Sequence, residues 1–122
     1  MQAKAVLLIE SDRPLREAMA HALAVYGYQV QTARDMPEGV AKIREGEFDV
    51  VVADAPCLDN GGNCVLLGPG DGEPGIPVIC ISDERRASFR DEALEAGASA
   101  YLIKPITAAA LHSTIEEVLL QV

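Results

Sequence analysis

The chain has 122 residues, and its 10 Lys or Arg against 19 Asp or Glu give a formal net charge of -9 with both histidines neutral. Single domains cluster at roughly 100 to 150 residues, so this length predicts one domain over residues 1–122. A hydrophobic content of 49% excludes a disordered chain. The negative charge argues against direct binding to nucleic acid or to an anionic membrane surface.

The first apolar run, residues 5–9, is too short for a secretory signal or a bilayer span, so we expect a cytoplasmic protein. Cys57, Cys64 and Cys80 lack paired CxxC spacing. They therefore indicate reduced thiols rather than a disulfide framework or a zinc site.

Five short apolar runs are predicted to form β-strands. Four of them lack the polar alternation of a half-exposed strand, which is typical of strands buried on both faces of a parallel sheet. The runs cover residues 5–9, 28–32, 50–53, 78–81 and 100–103.

Helical patterns lie between and after these runs, with residues at their starts that favour capping. The predicted caps are Ser11 or Asp12, Asp35 and Thr107. The helix after the third strand is predicted to be short or missing, because seven of the ten residues 68–77 are Gly or Pro.

A β-then-α alternation of this length predicts an α/β three-layer sandwich, in which helices cover both faces of an open parallel sheet. Such sheets carry their sites just beyond the carboxyl ends of the strands. The polar residues that follow the predicted strands are Glu10, Ser11, Asp12, Asp54, Ser82, Asp83 and Lys104.

Carboxylates from separate strands repel one another unless a cation neutralises them. Mg²⁺ is the best candidate, since it combines one or two carboxylates with water and a phosphate group. Lys104 could then meet the phosphate as a point charge, and Ser82 could donate a hydrogen bond to it. This pattern predicts phosphoryl chemistry on a carboxylate. The alternative is that these residues are solvated loop residues and caps.

Four segments carry a resemblance to a known family: IESDRPLRE, FDVVVAD, IPVICIS and EAGASAYLIKPI. With these motifs in this order, the chain resembles a response-regulator receiver domain of the CheY-like family over essentially its whole length. The resemblance implies a flavodoxin-like, five-stranded parallel sheet of order 2-1-3-4-5. It also implies a signalling switch worked by aspartyl phosphorylation.

The resemblance assigns five residues to this chemistry. Asp54 corresponds to the phospho-acceptor, which takes a phosphoryl group from a histidine kinase or phosphotransfer protein. Asp54, Glu10 and the backbone carbonyl of Pro56 correspond to the groups that hold Mg²⁺, Glu10 through water. Ser82 corresponds to the hydroxyl residue that contacts the phosphoryl group, and Lys104 to the lysine that pairs with it. Such a domain is the acceptor in its own phosphorylation and is not an enzyme.

The resemblance also implies a switch residue and a docking surface. Tyr101 corresponds to an aromatic residue that changes rotamer as Ser82 moves toward the phosphate; a half-buried ring at the sheet edge is the alternative. The helix after the fourth strand, the fifth strand and the last helix form the surface for a downstream protein target or for a homodimer. Pro105 follows Lys104 through a peptide bond that is commonly cis in this family.

Two positions near the expected site depart from the family pattern. Ser11 stands where the family has a second acidic residue, and a neutral hydroxyl is a poorer ligand for a hard dication. Asp12 is the candidate substitute after a local shift of the loop. Asp83 replaces a small residue, and its charge would slow the approach of a phosphoryl dianion if it points inward. We therefore expect weak Mg²⁺ binding.

The first functional hypothesis is a receiver domain of a two-component phosphorelay that changes its affinity for partners when Asp54 is phosphorylated. The alternative is an atypical pseudo-receiver that acts as a phosphorylation-independent protein-interaction module. A third candidate is a flavodoxin-like binder of nucleotide or flavin in the same crevice. It is disfavoured, because no glycine-rich phosphate loop follows the first strand.

Overall fold

The computed structural model describes residues 3–54, 76–83, 86–95 and 97–120. Within these ranges, the strands are β1 (Ala5–Ile9), β2 (Gln29–Ala33), β3 (Val50–Asp54), β4 (Val78–Ser82) and β5 (Ala100–Ile103). The helices of the same ranges are α1 (Arg13–Val25), α2 (Met36–Glu45), α3 (Ala87–Glu95) and α4 (Ala108–Leu120). The predicted short or missing helix between β3 and β4 falls on residues that lie outside the described ones.

The five strands form one parallel sheet of order β2-β1-β3-β4-β5, which confirms the predicted α/β fold and strand order. Strand β1 pairs with β2 on one side and with β3 on the other. Ile9, at its carboxyl end, is in register with both Ala33 and Ala53. The carboxyl ends of β1, β2 and β3 therefore lie level with one another.

The sheet is covered on both faces, which explains why four of the strands read as continuous apolar runs. On β1, Leu7 and Ile9 face the core cluster that also contains residues of α2 and α3. Val6 and Leu8 face the opposite cluster, which contains residues of α1 and α4. All four side chains are 0–2% exposed, so the fold is the predicted three-layer sandwich.

The edge strand β2 begins one residue later than the sequence predicts. Tyr28 is not yet in the sheet, because its backbone N–H donates to the carbonyl of Leu23 at 3.2 Å and so closes the turn after α1. Pairing with β1 starts at Gln29 and runs to Ala33. Exposed and partly buried positions alternate along β2, as expected for a strand with one solvated side.

Two of the three predicted helix caps are confirmed by side-chain hydrogen bonds. A carboxylate oxygen of Asp35 accepts from the N–H of Glu38 at 2.9 Å, and Thr107 Oγ1 accepts from the N–H of Ala110 at 3.0 Å. Asp12 occupies the cap position of α1, but its side chain makes no capping hydrogen bond. None of the helices in the described ranges combines the length and the apolar character needed to cross a membrane.

Candidate functional site at the carboxyl edge of the sheet

The sheet register brings the polar strand ends together at one edge. Ile9 pairs with Ala53, so Glu10 and Asp54, the residues that come next, lie side by side where β1 and β3 end. Ser82 is the last residue of β4, and its backbone oxygen accepts from the N–H of Lys104 at 2.8 Å. The Lys104–Pro105 peptide bond is cis, as the resemblance implied.

Lys104 joins the two carboxylates. Its Nζ lies 2.6 Å from Oε1 of Glu10 and 3.2 Å from Oδ1 of Asp54. The lysine follows β5, and strand β4 separates it from β3, so its long side chain reaches across the end of β4. The exposed fractions of the side chains are 1% for Glu10, 15% for Lys104 and 22% for Asp54. The three charges therefore share one largely buried site.

Glu10 is fixed by contacts from several elements. Its backbone N–H donates to the carbonyl of Ala33 at 3.0 Å, and Oε2 accepts from the N–H of Asp12 at 3.3 Å. Its backbone oxygen accepts from Nη1 of Arg16 at 2.8 Å. Arg16 is not among the residues that the sequence predicts at the site, because an arginine in the second turn of a helix carries no signal that it contacts the preceding loop.

The two carboxyl groups of the site differ in their electrostatics. Burial, together with the hydrogen bond and the negative charge of Glu10, raises the pKa of Asp54 from 3.8 to about 6, although Lys104 opposes the rise. Burial would also raise the pKa of Glu10, but hydrogen bonds with Lys104, Asp54 and Asp12 outweigh it and lower that pKa. Asp54 is therefore the group whose negative charge is less well compensated.

Lys104 stays charged despite its burial. Desolvation alone would lower the pKa of its ammonium group, yet hydrogen bonds to Glu10 and Asp54 and the charges of both carboxylates raise it. The lysine is thus a permanent positive charge at the site. It carries one charge against two carboxylates, so the site attracts a further cation when both acids are ionised.

Ser82 and Tyr101 lie on the neighbouring strands β4 and β5. Ser82 is 6% exposed, and Tyr101 is 9% exposed. The ring of Tyr101 belongs to the core cluster beneath α2 and α3, with its centroid 6.1 Å from that of Phe89. The ring is therefore buried, in contrast to the half-buried edge position that the sequence left as an alternative.

The other residues discussed for the metal site and its surroundings are placed differently. Ser11, Asp12 and Asp83 are exposed, and Pro56 lies outside the described residues. Among the residues that the structure describes, no three His, Cys, Asp or Glu side chains converge in a way that could hold a metal ion. Glu10 and Asp54 remain as an adjacent carboxylate pair. Such a pair fits Mg²⁺, which takes one or two protein carboxylates and keeps several waters.

This architecture defines the chain as a CheY-like α/β domain with an acidic strand-edge site, and comparisons with known proteins agree. The family model described as response regulator receiver domain matches residues 6–116. The chain therefore belongs to the response-regulator receiver domain family. It is a receiver domain of two-component signal transduction, a class that accepts a phosphoryl group rather than catalysing a reaction on a separate substrate. Members of the family typically bind Mg²⁺, and a receiver domain implies a cognate histidine kinase.

Individual relatives support the assignment. The chain is 31% identical to a probable transcriptional regulator, ycf27, of Porphyridium aerugineum over 100% of this chain and 50% of the relative. It is 34% identical to response regulator MprA of Mycobacterium tuberculosis over 82% of this chain and 44% of the relative. The chain thus spans about half the length of these curated relatives.

A solved structure shows the same fold. The receiver domain protein of Methanospirillum hungatei superposes with a TM-score of 0.84 at 27% identity. The match covers 98% of this chain and 96% of that protein. The fold assignment therefore holds over nearly the full length of both chains.

Proposed function

We propose that Asp54 is the phospho-acceptor of a receiver domain spanning residues 1–122, and that its donor is a histidine kinase or a phosphotransfer protein. The observation that carries the proposal is the bridging of Glu10 and Asp54 by Lys104 at 2.6 and 3.2 Å. Of the two carboxylates, Asp54 is 22% exposed and Glu10 only 1%. A phosphodonor can therefore reach Asp54 and not Glu10.

Each charged group has a role in the proposed transfer. A carboxylate oxygen of Asp54 attacks the phosphorus of the phosphohistidine; the new O–P bond forms as the P–N bond to the donor imidazole breaks. With a pKa of about 6, Asp54 is mostly ionised at neutral pH and is available as the nucleophile. Lys104 pairs with the transferred phosphoryl oxygens, and the Ser82 hydroxyl donates to them. Such transfer needs placement and charge compensation rather than covalent machinery.

Glu10 and Asp54 would hold Mg²⁺, together with the backbone carbonyl of Pro56 that the family resemblance adds. When bound, the ion supplies positive charge that neutralises the phosphoryl oxygens during transfer. Ser11 replaces the family's second acidic residue, so this chain is an atypical receiver with weakened Mg²⁺ affinity. Asp12 is the candidate replacement ligand, since its carboxylate does not cap α1.

Phosphorylation would be transmitted through β4 and β5 to the surface formed by α3, β5 and α4. Ser82 of β4 is in register with Ile103 of β5, and Tyr101 lies two residues before Ile103 on β5. Movement of Ser82 toward the phosphate would open space for the Tyr101 ring to change rotamer. A downstream protein target, or a second copy of the chain, would bind this surface.

A second candidate function is a phosphorylation-independent interaction module with the same fold. It is favoured by Ser11, which supplies no charge to a metal, and by the exposed Asp83 carboxylate that lines the cleft beside Lys104. In that case the Glu10–Lys104 ion pair would serve stability alone.

Intact mass spectrometry after incubation with Mg²⁺ and acetyl phosphate separates the two candidates. We expect the wild-type protein to gain one phosphoryl group and Asp54→Asn to gain none. Equal labelling of both proteins would place the acceptor elsewhere. No labelling, together with no Mg²⁺-dependent binding of beryllofluoride, would favour the interaction module.

The substitution at position 11 has a matched test. Ser11→Asp restores a carboxylate and should tighten Mg²⁺ binding by about 10-fold or more, whereas Ser11→Ala should not. Titration of both variants against the wild-type protein measures the effect. Equal affinities for all three would mean that Ser11 does not limit the site.

A further inference from the structure

Arg16 holds the loop that joins β1 to α1 from the helix side. Its Nη1 lies 2.8 Å from the backbone oxygen of Glu10 and 3.5 Å from that of Ser11. Its backbone N–H donates to the carbonyl of Asp12 at 2.8 Å, which is the first hydrogen bond of α1 and does not depend on the side chain. The guanidinium group thus contacts the carbonyls of the two successive loop residues that occupy the family's acidic positions.

The contact to Glu10 completes the anchoring of a buried carboxylate. The N–H of Glu10 is held by Ala33 of β2, and its carboxylate oxygens are held by Lys104 and the Asp12 backbone. The carbonyl of Glu10 is held by Arg16. Without this donor the peptide that follows Glu10 can rotate, and that rotation would move Ser11 and Asp12 relative to Asp54.

We propose that Arg16 is a positioning residue for Mg²⁺-dependent phosphorylation, which fixes the β1–α1 loop so that its acidic ligands face Asp54. The inference rests on the proposed function of Asp54. Mg²⁺ demands near-ideal octahedral geometry, so a small displacement of one ligand weakens binding strongly. Groups that orient metal ligands typically change metal affinity by about 10- to 100-fold when removed.

Arg13 offers a matched control on the same helix. Its Nε pairs with Glu17 at 2.9 Å on the surface, where the arginine side chain is 78% exposed. Arg13→Ala and Arg16→Ala remove the same charge from α1, but Arg16→Ala also removes the guanidinium contacts to the loop. Arg16→Lys keeps the charge and one donor group.

The first test is the Mg²⁺ dependence of labelling by acetyl phosphate. Arg16→Ala should raise the half-saturating Mg²⁺ concentration by about 10-fold or more, with a smaller change in the rate at saturating Mg²⁺. Arg13→Ala should match the wild-type protein, and Arg16→Lys should recover part of the loss. Equal half-saturation for the two alanine variants would overturn the proposal.

The second test does not depend on phosphorylation. If Asp54 is not phosphorylated, the proposed function is wrong, but the effect of Arg16 on the loop can still be measured. Hydrogen exchange of the Asp12 amide, measured without Mg²⁺, should be at least about 10-fold faster in Arg16→Ala than in Arg13→Ala. The amides of Leu7 and Leu8 in β1 should be unchanged. An unchanged Asp12 amide, or equal acceleration along β1, would show that Arg16 does not position the loop.

Discussion

Along β3 and β4, the sheet changes from a buried apolar interior to a polar carboxyl edge between one residue and the next. Ala53 is 0% exposed and apolar, and the next residue is Asp54; Ile81 is equally buried and is followed by Ser82. The interior is stabilised by apolar burial, which does not depend on pH. The edge is stabilised by the pairing of buried charges, which does. Stability and function therefore have separate physical origins in adjacent positions.

The largest effect should come from the interior. Ile81→Ala removes a fully buried side chain and should lower the free energy of unfolding by about 2–5 kcal/mol. The loss should be the same at pH 5 and pH 8 and with or without Mg²⁺, as measured by urea unfolding. Leu120→Ala is the control, because that side chain is 85% exposed and its truncation should change little. A loss that varied with pH would contradict the claim that only the edge has pH-dependent stability.

Removal of the lysine should destabilise the edge in a pH-dependent way. Lys104→Met leaves Glu10, which is 1% exposed, without its cationic partner and should cost about 2–4 kcal/mol at pH 7.5. The cost should shrink toward pH 5, because Glu10 loses in this variant the Lys104 contact that lowers its pKa, and burial then favours its neutral form. Arg13→Met, which breaks an exposed ion pair, should have a much smaller effect in the same unfolding assay. A pH-independent cost would argue against coupled charges.

The acceptor itself should be destabilising when ionised. The pKa of Asp54 is about 6 in the folded protein against an ordinary 3.8, so the folded state binds more protons between these values. Stability is therefore lost as pH rises through about 6. Relative to wild type, Asp54→Asn should gain about 1–3 kcal/mol in unfolding free energy between pH 4 and pH 7.5 in Mg²⁺-free buffer. A constant difference across this range would contradict the raised pKa.

The smallest effect should come from the exposed rim of the edge. Asp83 lines the cleft beside Lys104. Asp83→Ala should speed labelling by acetyl phosphate about 2- to 5-fold at low ionic strength, where screening is weakest, because an exposed charge surrounded by water repels the donor only weakly. Asp83→Asn removes the charge but keeps the size of the side chain, so its comparison with Asp83→Ala separates the effect of charge from the effect of size. A slower Asp83→Ala would show that the carboxylate assists the site.

The sequence is sufficient to predict where the strands lie and which polar residues follow them. Runs of apolar residues without alternation marked β1, β3, β4 and β5, because both faces of these strands are covered. The predicted start of β2 is one residue too early. Tyr28 is apolar enough to extend the run, but its backbone N–H donates to the carbonyl of Leu23. The order of the strands came from the family resemblance, because apolar runs do not encode which strands pair.

The contacts within the site could be predicted only in part. Strand-end positions indicated that Glu10, Asp54 and Lys104 meet at one edge. They did not indicate that Lys104 lies closer to Glu10 than to Asp54, which depends on side-chain reach across β4. The role of Arg16 was not predictable either, because its partners are backbone carbonyls, which every residue type supplies.

The pKa of the Asp54 carboxyl, measured by carbon-13 NMR in Mg²⁺-free buffer, tests most directly whether the strand ends form one charge-coupled site. We predict a pKa of about 6 in the wild-type protein. We also predict a clear decrease in Glu10→Gln, where the neighbouring negative charge is absent. An Asp54 pKa near its ordinary value, unchanged by Glu10→Gln, would show that the strand ends do not form one charge-coupled site.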